Sequence, residues 1–232
     1  TDAISYYATF DNYLVGKTQG QFIVDALDLD NQDGPFNIEM VTGDPGDNNV
    51  NFFFGGAMDV LQPYIDAGKL VVPSGQMTKD EVATANWATD AAQARFENIL
   101  SSNYADGTPL HAVLASNDST ALGVTNALAA NYTNDVYPVI TGQDCDIANV
   151  PNIVNGKQAM SVFKDTRTLA TKVVEMVDAI MTGGEAPVND NKTYDNGTGI
   201  IPSYLCEPVA VTADNYKEIL IDSGYYTEDQ IQ

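Results

Sequence analysis

The sequence predicts an α/β fold, with parallel strands and helices on both faces of the sheet. Three observations carry that prediction. Strand-like and helix-like segments alternate along the whole chain, joined by short stretches rich in Gly, Pro, Asn and Asp. The strand-like runs are short and mostly apolar rather than alternating, the pattern of strands buried on both faces. Of the 232 residues, 44% are hydrophobic, enough to bury a core and to exclude disorder as the main state. At roughly 150 residues per domain, the chain holds one large domain or two small ones.

Residues 4–10 are the first strand and 12–27 the first helix, whose Val15, Gln19, Phe22, Ile23, Ala26 and Leu27 share one face. Residues 37–42 form a strand ending in the loop Gly43-Asp44-Pro45-Gly46-Asp47. A helix over 48–67 stops at Gly68, which supplies a left-handed C-cap. After a short strand over 69–73, Thr89 caps a helix to residue 100 with Ala92, Phe96, Ile99 and Leu100 inward. Strands over 111–115 and 137–141 flank a helix over 119–130, and a helix over 147–155 leads to a strand over 158–163. Residues 166–181 make the longest amphipathic helix, stopped at Gly183-Gly184, and Asp195-Asn196-Gly197 marks a tight turn.

Ten Lys and Arg against 32 Asp and Glu give a net charge of −22. That balance excludes a protein whose task is to neutralise phosphates, so no nucleic acid is expected, and it disfavours docking on anionic lipid. It suits a small neutral ligand or a basic protein partner. No apolar run approaches the ~20 residues of a membrane span. The opening Thr1-Asp2-Ala3-Ile4-Ser5 has no start Met, basic n-region or apolar h-region, so a signal peptide is expected to be absent from this sequence. Cys145 and Cys206 are too few for a disulfide scaffold and lack metal-ligand spacing. Two isolated buried thiols are favoured over a single bridge.

In doubly wound sheets ligands sit beyond the carboxyl ends of the strands. The residues there are Asp11-Asn12, 44–49, Asn117-Asp118, Gln143-Asp144 and Lys164-Asp165, almost all hydrogen-bonding groups. Other motifs carry less. Residues 28–34 fail as a calcium loop, because Gly34 at the sixth position puts Leu29 first and Met40 twelfth. Gly43 to Gly46 matches no phosphate-binding fingerprint and is a bend leading into the next helix. His111 opens a strand with no nucleophile near it in sequence, which makes it structural. Asn-x-Ser/Thr triplets such as Asn117-Asp118-Ser119 are chance matches in an Asn-rich chain. Phe52-Phe53-Phe54 is mainly core. Trp87, the one tryptophan, lies just ahead of a helix. It is either a core or staple residue or an aromatic platform for the C–H face of a ring ligand. The sequence offers no catalytic constellation, metal site or cofactor motif.

The succession Tyr7-Ala8-Thr9-Phe10-Asp11-Asn12, Gly43-Asp44-Pro45-Gly46-Asp47-Asn48-Asn49, Ala115-Ser116-Asn117-Asp118 and Gly142-Gln143-Asp144 resembles the periplasmic monosaccharide-binding proteins of ABC sugar importers. Phe163-Lys164-Asp165-Thr166-Arg167 and Pro202-Ser203-Tyr204-Leu205 extend the match, which points to the xylose-binding and multiple-monosaccharide-binding (ChvE-like) branch. The resemblance runs in one order along essentially the whole chain. It implies the type I periplasmic-binding-protein fold: parallel sheets in two lobes, three hinge crossings and a sugar clamped between the lobes. Carried over residue by residue, it implies Asn12 after the first crossing and Lys164 at the second. Trp87 becomes the stacking face, Asn117 and Asp144 bond sugar hydroxyls, and Asp47 and Asn49 lie on a cleft-facing loop. The chemistry fits, since sugar hydroxyls both donate and accept and suit amides and carboxylates.

The resemblance also implies that about 110 residues, roughly four strand–helix units of the first lobe, precede the strand at Ile4 in family members. Residues 12–164 and 201–212 are then the second, C-terminal, sugar-binding lobe. Residues 1–11 and 165–200 are a remnant of the incomplete first lobe, and 213–232 a C-terminal helix and tail. Leu169, Val173, Met176, Val177 and Ile180 line one face of the helix over 166–181. Leaving five such side chains wet forgoes about 8–15 kcal/mol. That face is therefore expected to be buried by a second copy, a swapped partner or a repacking, and the chain alone to bind sugar weakly.

The function implied is an extracytoplasmic receptor, periplasmic or lipid-anchored at the cell surface. It captures a neutral monosaccharide of the xylose, glucose, galactose or arabinose class and delivers it to the membrane subunits of an ABC permease, without catalysis. A sugar-sensing receptor is a further implied partner. A different class sharing the fold is the effector-binding domain of a sugar-responsive transcription regulator, which would bring a helix-turn-helix and a basic surface. The charge of −22 counts against it. A third, a sugar-active enzyme with paired carboxylates such as Asp11 with Asp144, would turn over a glycoside, and no turnover is expected.

Overall fold

The apolar runs form parallel strands and the periodic runs form helices beside them, in a computed structural model that describes residues 2–231. In chain order the first half contains β1 (Tyr7–Phe10), α1 (Asn12–Ala26), β2 (Phe36–Val41), α2 (Asn49–Asp66), β3 (Leu70–Val71), α3 (Thr89–Asn103) and β4 (Ala112–Ala115). The second half contains α4 (Asp118–Asn131), β5 (Val139–Ile140), α5 (Val150–Val154), β6 (Ser161–Phe163), α6 (Thr166–Met181), β7 (Ser203–Cys206) and β8 (Val209–Val211). The chain divides into a larger unit, Tyr13–Phe163 with the segment from Ala210 on, and a smaller one, the segment up to Asn12 with Lys164–Val209.

In the larger unit four parallel strands run in the order β3-β2-β4-β5, with Ile38 beside Ala112 and Val41 beside Ala115. Val162 N–H donates to Gly142 O (3.0 Å) and Asp144 N–H to Val162 O (2.9 Å), which carries the hydrogen bonding on to β6 and its partner β8. β4 is apolar at every position because its alternate residues enter different cores. Ala112 and Leu114 join Ile23, Val24, Ile38, Met40 and Leu61 on the α1/α2 side. Val113 and Ala115 join Val41, Phe96, Leu100, Val124 and Leu128 on the α3/α4 side. Each large side chain so buried contributes about 1.5–3 kcal/mol.

Two polar residues are built into this sheet. Glu39 is fully buried on β2 and accepts from Ser74 Oγ (2.6 Å), Ser74 N–H (3.1 Å) and Tyr104 OH (2.9 Å). Burial raises its pKa against the pull of those donors and of Arg95. A buried carboxylate is tolerable only when its oxygens are satisfied in this way. His111 Nδ1 accepts the Asn37 N–H (2.9 Å), tying β2 to the start of β4, and burial lowers its pKa. The imidazole is thus a neutral structural acceptor.

In the smaller unit β1 pairs with β7 in parallel, from Tyr7 beside Ser203 to Phe10 beside Cys206. Asp165 caps α6 by accepting the Arg167 N–H (2.9 Å) and holds the Arg167 guanidinium (2.7 Å).

Three expectations need correction. Residues 201–209 belong with the smaller unit rather than the second lobe, because β7 completes its ladder on β1. Asn12 and Lys164 fall in the smaller unit too, each one residue beyond the expected boundary, and the segment after Ala210 joins the larger unit. Ala88 rather than Thr89 stands at the N-cap of α3, and no side chain caps it. Within the single chain no repacking covers the apolar face of α6: Met176 is buried, but Val173, Val177 and Ile180 stay 41%, 52% and 47% exposed. Cys145 and Cys206 are both free and buried.

Candidate functional site

The carboxyl edge of the larger unit's sheet gathers the loops that follow β2, β4 and β5, three adjacent parallel strands. The first loop is shaped by its own carboxylates. Asp44 accepts from Asn86 N–H (2.6 Å) and Gly46 N–H (2.7 Å), which hold its pKa below the usual range. Asp47 accepts from Asn49 N–H (2.9 Å) at the start of α2. Both Asp47 and Asn49 are half-buried.

The segment leading to Trp87 is laid along the end of β2. Thr42 N–H donates to Val82 O (2.8 Å), Thr84 N–H to Gly43 O (3.0 Å) and Trp87 N–H to Thr84 O (3.2 Å). Asn86 and Trp87 then both take positive φ, 55° and 56°, which turns the indole back over the loop. It lies so close to Gly43 that a Cβ there would stand 2.1 Å from Cε2 and Cζ2, so only glycine fits. One edge contact with Phe53, centroids 6.2 Å apart, braces the ring, which remains half-buried. Trp87 packs against the apolar cluster of Val15, Phe53, Met160 and Val162, as the core reading of the sequence expects, and the residue as a whole is half-buried.

Asn117 ends the β4 loop and caps α4. Its Oδ1 accepts from Thr120 N–H (3.0 Å) and Thr120 Oγ1 (2.9 Å), so its amide nitrogen is the end left to donate to a ligand. Asp144 ends the β5 loop, half-buried, with φ 96°. The ends of β4 and β5 are stitched together by two glutamines. Gln19 Nε2 donates to Ser116 O (3.2 Å) and Gly142 O (2.9 Å), and Gln143 Nε2 donates to Ser116 O (2.9 Å). Gln19 explains itself: a polar residue on the apolar face of α1 meets the carbonyl ends of two strands.

Trp87, Asn117, Asp144, Asp47 and Asn49 thus share one sheet edge. Asn12 and Lys164 belong to the smaller unit. There the buried Asn12 side chain hydrogen-bonds the Tyr194 hydroxyl, and Tyr194 packs edge-on against Tyr7 with centroids 4.9 Å apart. Burial, with Tyr7 and Asp11 nearby, pushes the Tyr194 pKa up to about 12. Tyr194 was not legible as a site neighbour, since it precedes a tight turn far from Asn12 in sequence.

A parallel sheet whose carboxyl edge carries amides, carboxylates and one aromatic ring defines a binding protein for small polar ligands. The chain belongs to the periplasmic binding protein domain family, whose model matches residues 1–185. It is 50% identical to the multiple sugar-binding periplasmic protein SbpA of Azospirillum brasilense, over 100% of this chain and 65% of that protein. It is 48% identical to the multiple sugar-binding periplasmic receptor ChvE of Rhizobium radiobacter, over 99% and 65% of the two chains. A crystal structure of an ABC transporter solute-binding protein from Clostridium phytofermentans with bound β-D-glucose superposes with a TM-score of 0.96 at 67% identity, over 100% of this chain and 71% of that one. The chain spans about two thirds of the curated relatives' length.

Proposed function

We propose that the chain is the sugar-binding part of an extracytoplasmic receptor that captures a neutral monosaccharide and delivers it to the membrane subunits of an ABC permease. The observation that carries this reading is the carboxyl-edge cluster of Trp87, Asn117 and Asp144: an apolar ring beside a donor and a double acceptor. A pyranose presents one C–H face and a rim of hydroxyls, and the cluster offers a partner to each. Relatives whose names specify sugars, and a neighbour holding β-D-glucose, support glucose as the first ligand to test. The parts of Asn12, Lys164, Asp47 and Asn49 as further ligands rest on the family resemblance.

Stacking on Trp87 should cover about 80–100 Å² and contribute roughly 2 kcal/mol. Adding D-glucose to the full-length protein should therefore change the tryptophan fluorescence, and Trp87→Phe should remove the part of that change due to Trp87. A change that persists undiminished in Trp87→Phe would show the indole to be core alone.

The open row of α6 leads to an expectation about the 232-residue chain by itself. Val173, Val177 and Ile180 should drive concentration-dependent self-association despite the charge of −22. Sedimentation should show it, and Val177→Glu should weaken it; a monomer at every concentration tested would refute the expectation.

A further inference from the structure

We propose that Asp118 is a positioning residue for the ligand-binding carboxylate: by gripping the backbone on both sides of Asp144 it fixes where that side chain is held. The proposal rests on the sugar-binding reading above. Asp118 opens α4 immediately after Asn117. Its backbone N–H donates to Gln143 O (2.9 Å), and its Oδ2 accepts the Asp146 N–H (2.8 Å). One residue thus holds the chain just before and just after Asp144 and Cys145. These two have φ 96° and 50°, a region that L side chains adopt only where their surroundings impose it.

The grip is itself braced. Asp118 Oδ1 accepts from Gln158 Nε2 (2.7 Å) and Ser161 Oγ (2.8 Å), and Ser161 Oγ accepts the Cys145 N–H (3.0 Å). Asn149 Nδ2 donates to the Asp118 carbonyl (2.8 Å) and to Gln158 Oε1 (2.8 Å). Three donors on the two oxygens of a fully buried carboxylate suit the ionised form. A proton on Oδ2 would face the Asp146 N–H donor against donor, and one on Oδ1 could be accepted only by Ser161 Oγ, after that hydroxyl turned its own hydrogen away from Asp118. The titratable groups that interact electrostatically with Asp118 are Asp146, Cys145 and Tyr226, whose hydroxyl donates to Cys145 O (3.1 Å).

Burial, opposed by the hydrogen bonds from Gln158, Ser161 and Asp146, leaves the Asp118 pKa raised to about 7 from 3.8. Two signs follow. Its contribution to folding stability is complete below the unfolded value of 3.8 and is lost as pH rises through about 7. Sugar affinity runs the other way, because the ionised form holds the loop, and affinity falls as pH falls through that range. A residue that served stability alone would not show these opposed profiles.

The test is calorimetry with D-glucose on the full-length protein and its Asp118→Asn variant, from about pH 5.5 to about 8.5. Wild-type affinity should weaken several-fold toward acid. Asp118→Asn should bind about tenfold or more weakly at the alkaline end and show a flat profile. An Asp118→Asn affinity within threefold of wild type, or an unchanged pH profile, would overturn the proposal. Should that variant not fold, Ser161→Ala takes its place: removing one donor should weaken binding and move the pH midpoint upward, and no change in either overturns the proposal. Hydrogen exchange at the Asp146 amide reads the grip without any ligand, with protection lost in Asp118→Asn as the expected result and retained protection as the opposing one. Full-length wild-type protein that binds no monosaccharide sinks the sugar-binding reading and leaves the exchange result to decide this one.

Discussion

Replacing Asp144 by alanine in the full-length protein should lower monosaccharide affinity by about 30- to 1000-fold, or roughly 2–4 kcal/mol. The size of the effect follows from where the residue sits. Asp144 closes the β5 loop at the carboxyl edge of the sheet, half-buried, in a left-handed conformation. A carboxylate there can accept two hydroxyl groups of one sugar, and charge-assisted bonds are about twice as strong as neutral ones. Truncation removes both acceptors and leaves two ligand hydroxyls without partners in a partly dry site. Asp144→Asn should lie between the two, since it keeps one acceptor oxygen and substitutes a donor for the other. Calorimetry on Asp144→Ala that finds less than a threefold loss removes the residue from the site.

The largest effect on stability is expected from a residue with no side chain. Gly16 on α1 faces α2 so closely that a Cβ would lie 2.0 Å from Phe53 O and 2.9 Å from Ala57 N. Backbone atoms cannot swing aside as a side-chain tip can, so Gly16→Ala must push two helices apart. The separation would loosen Ile23 and Val24 of α1 from Ala57 and Leu61 of α2, which share one buried cluster. Overpacking with a coupled loss of core contacts should cost about 3 kcal/mol, lowering Tm by roughly 6–12 °C for a chain of this size. Scanning calorimetry that shows Gly16→Ala within 2 °C of wild type, with the ~2 °C threshold set by the same scaling, would mean that α1 and α2 do not pack at this distance.

Much of the fold was legible because periodicity is a property of neighbours in the chain. Four apolar residues in β4 announced a strand buried on both faces, and the apolar periodicity of 166–181 announced α6. The site was legible to the same depth. The rule that ligands sit beyond the carboxyl ends of parallel strands selected the whole set of polar strand-end residues, and the family resemblance singled out Asn117 and Asp144 from it as the candidates for binding a ligand. Thr89 was misread as a cap because a threonine ahead of a helical pattern is a local signal, and the backbone entered α3 one residue earlier.

By itself, then, the sequence determined the α/β alternation, the acidic surface and the polar strand ends, each set by residues adjacent in the chain. Only the tertiary structure decided what those residues meet. Asp118 looks like an ordinary exposed first-turn acid, yet its donors come from 28, 40 and 43 residues away. Glu39 is buried because Ser74 and Tyr104 reach it from 35 and 65 residues away. β7 pairs with β1 nearly two hundred positions earlier, which moved residues 201–209 out of the lobe to which the family resemblance assigned them. Hydrogen-bond partners across a parallel sheet are fixed by strand order and register, and neither leaves a trace in the spacing of residues along one strand.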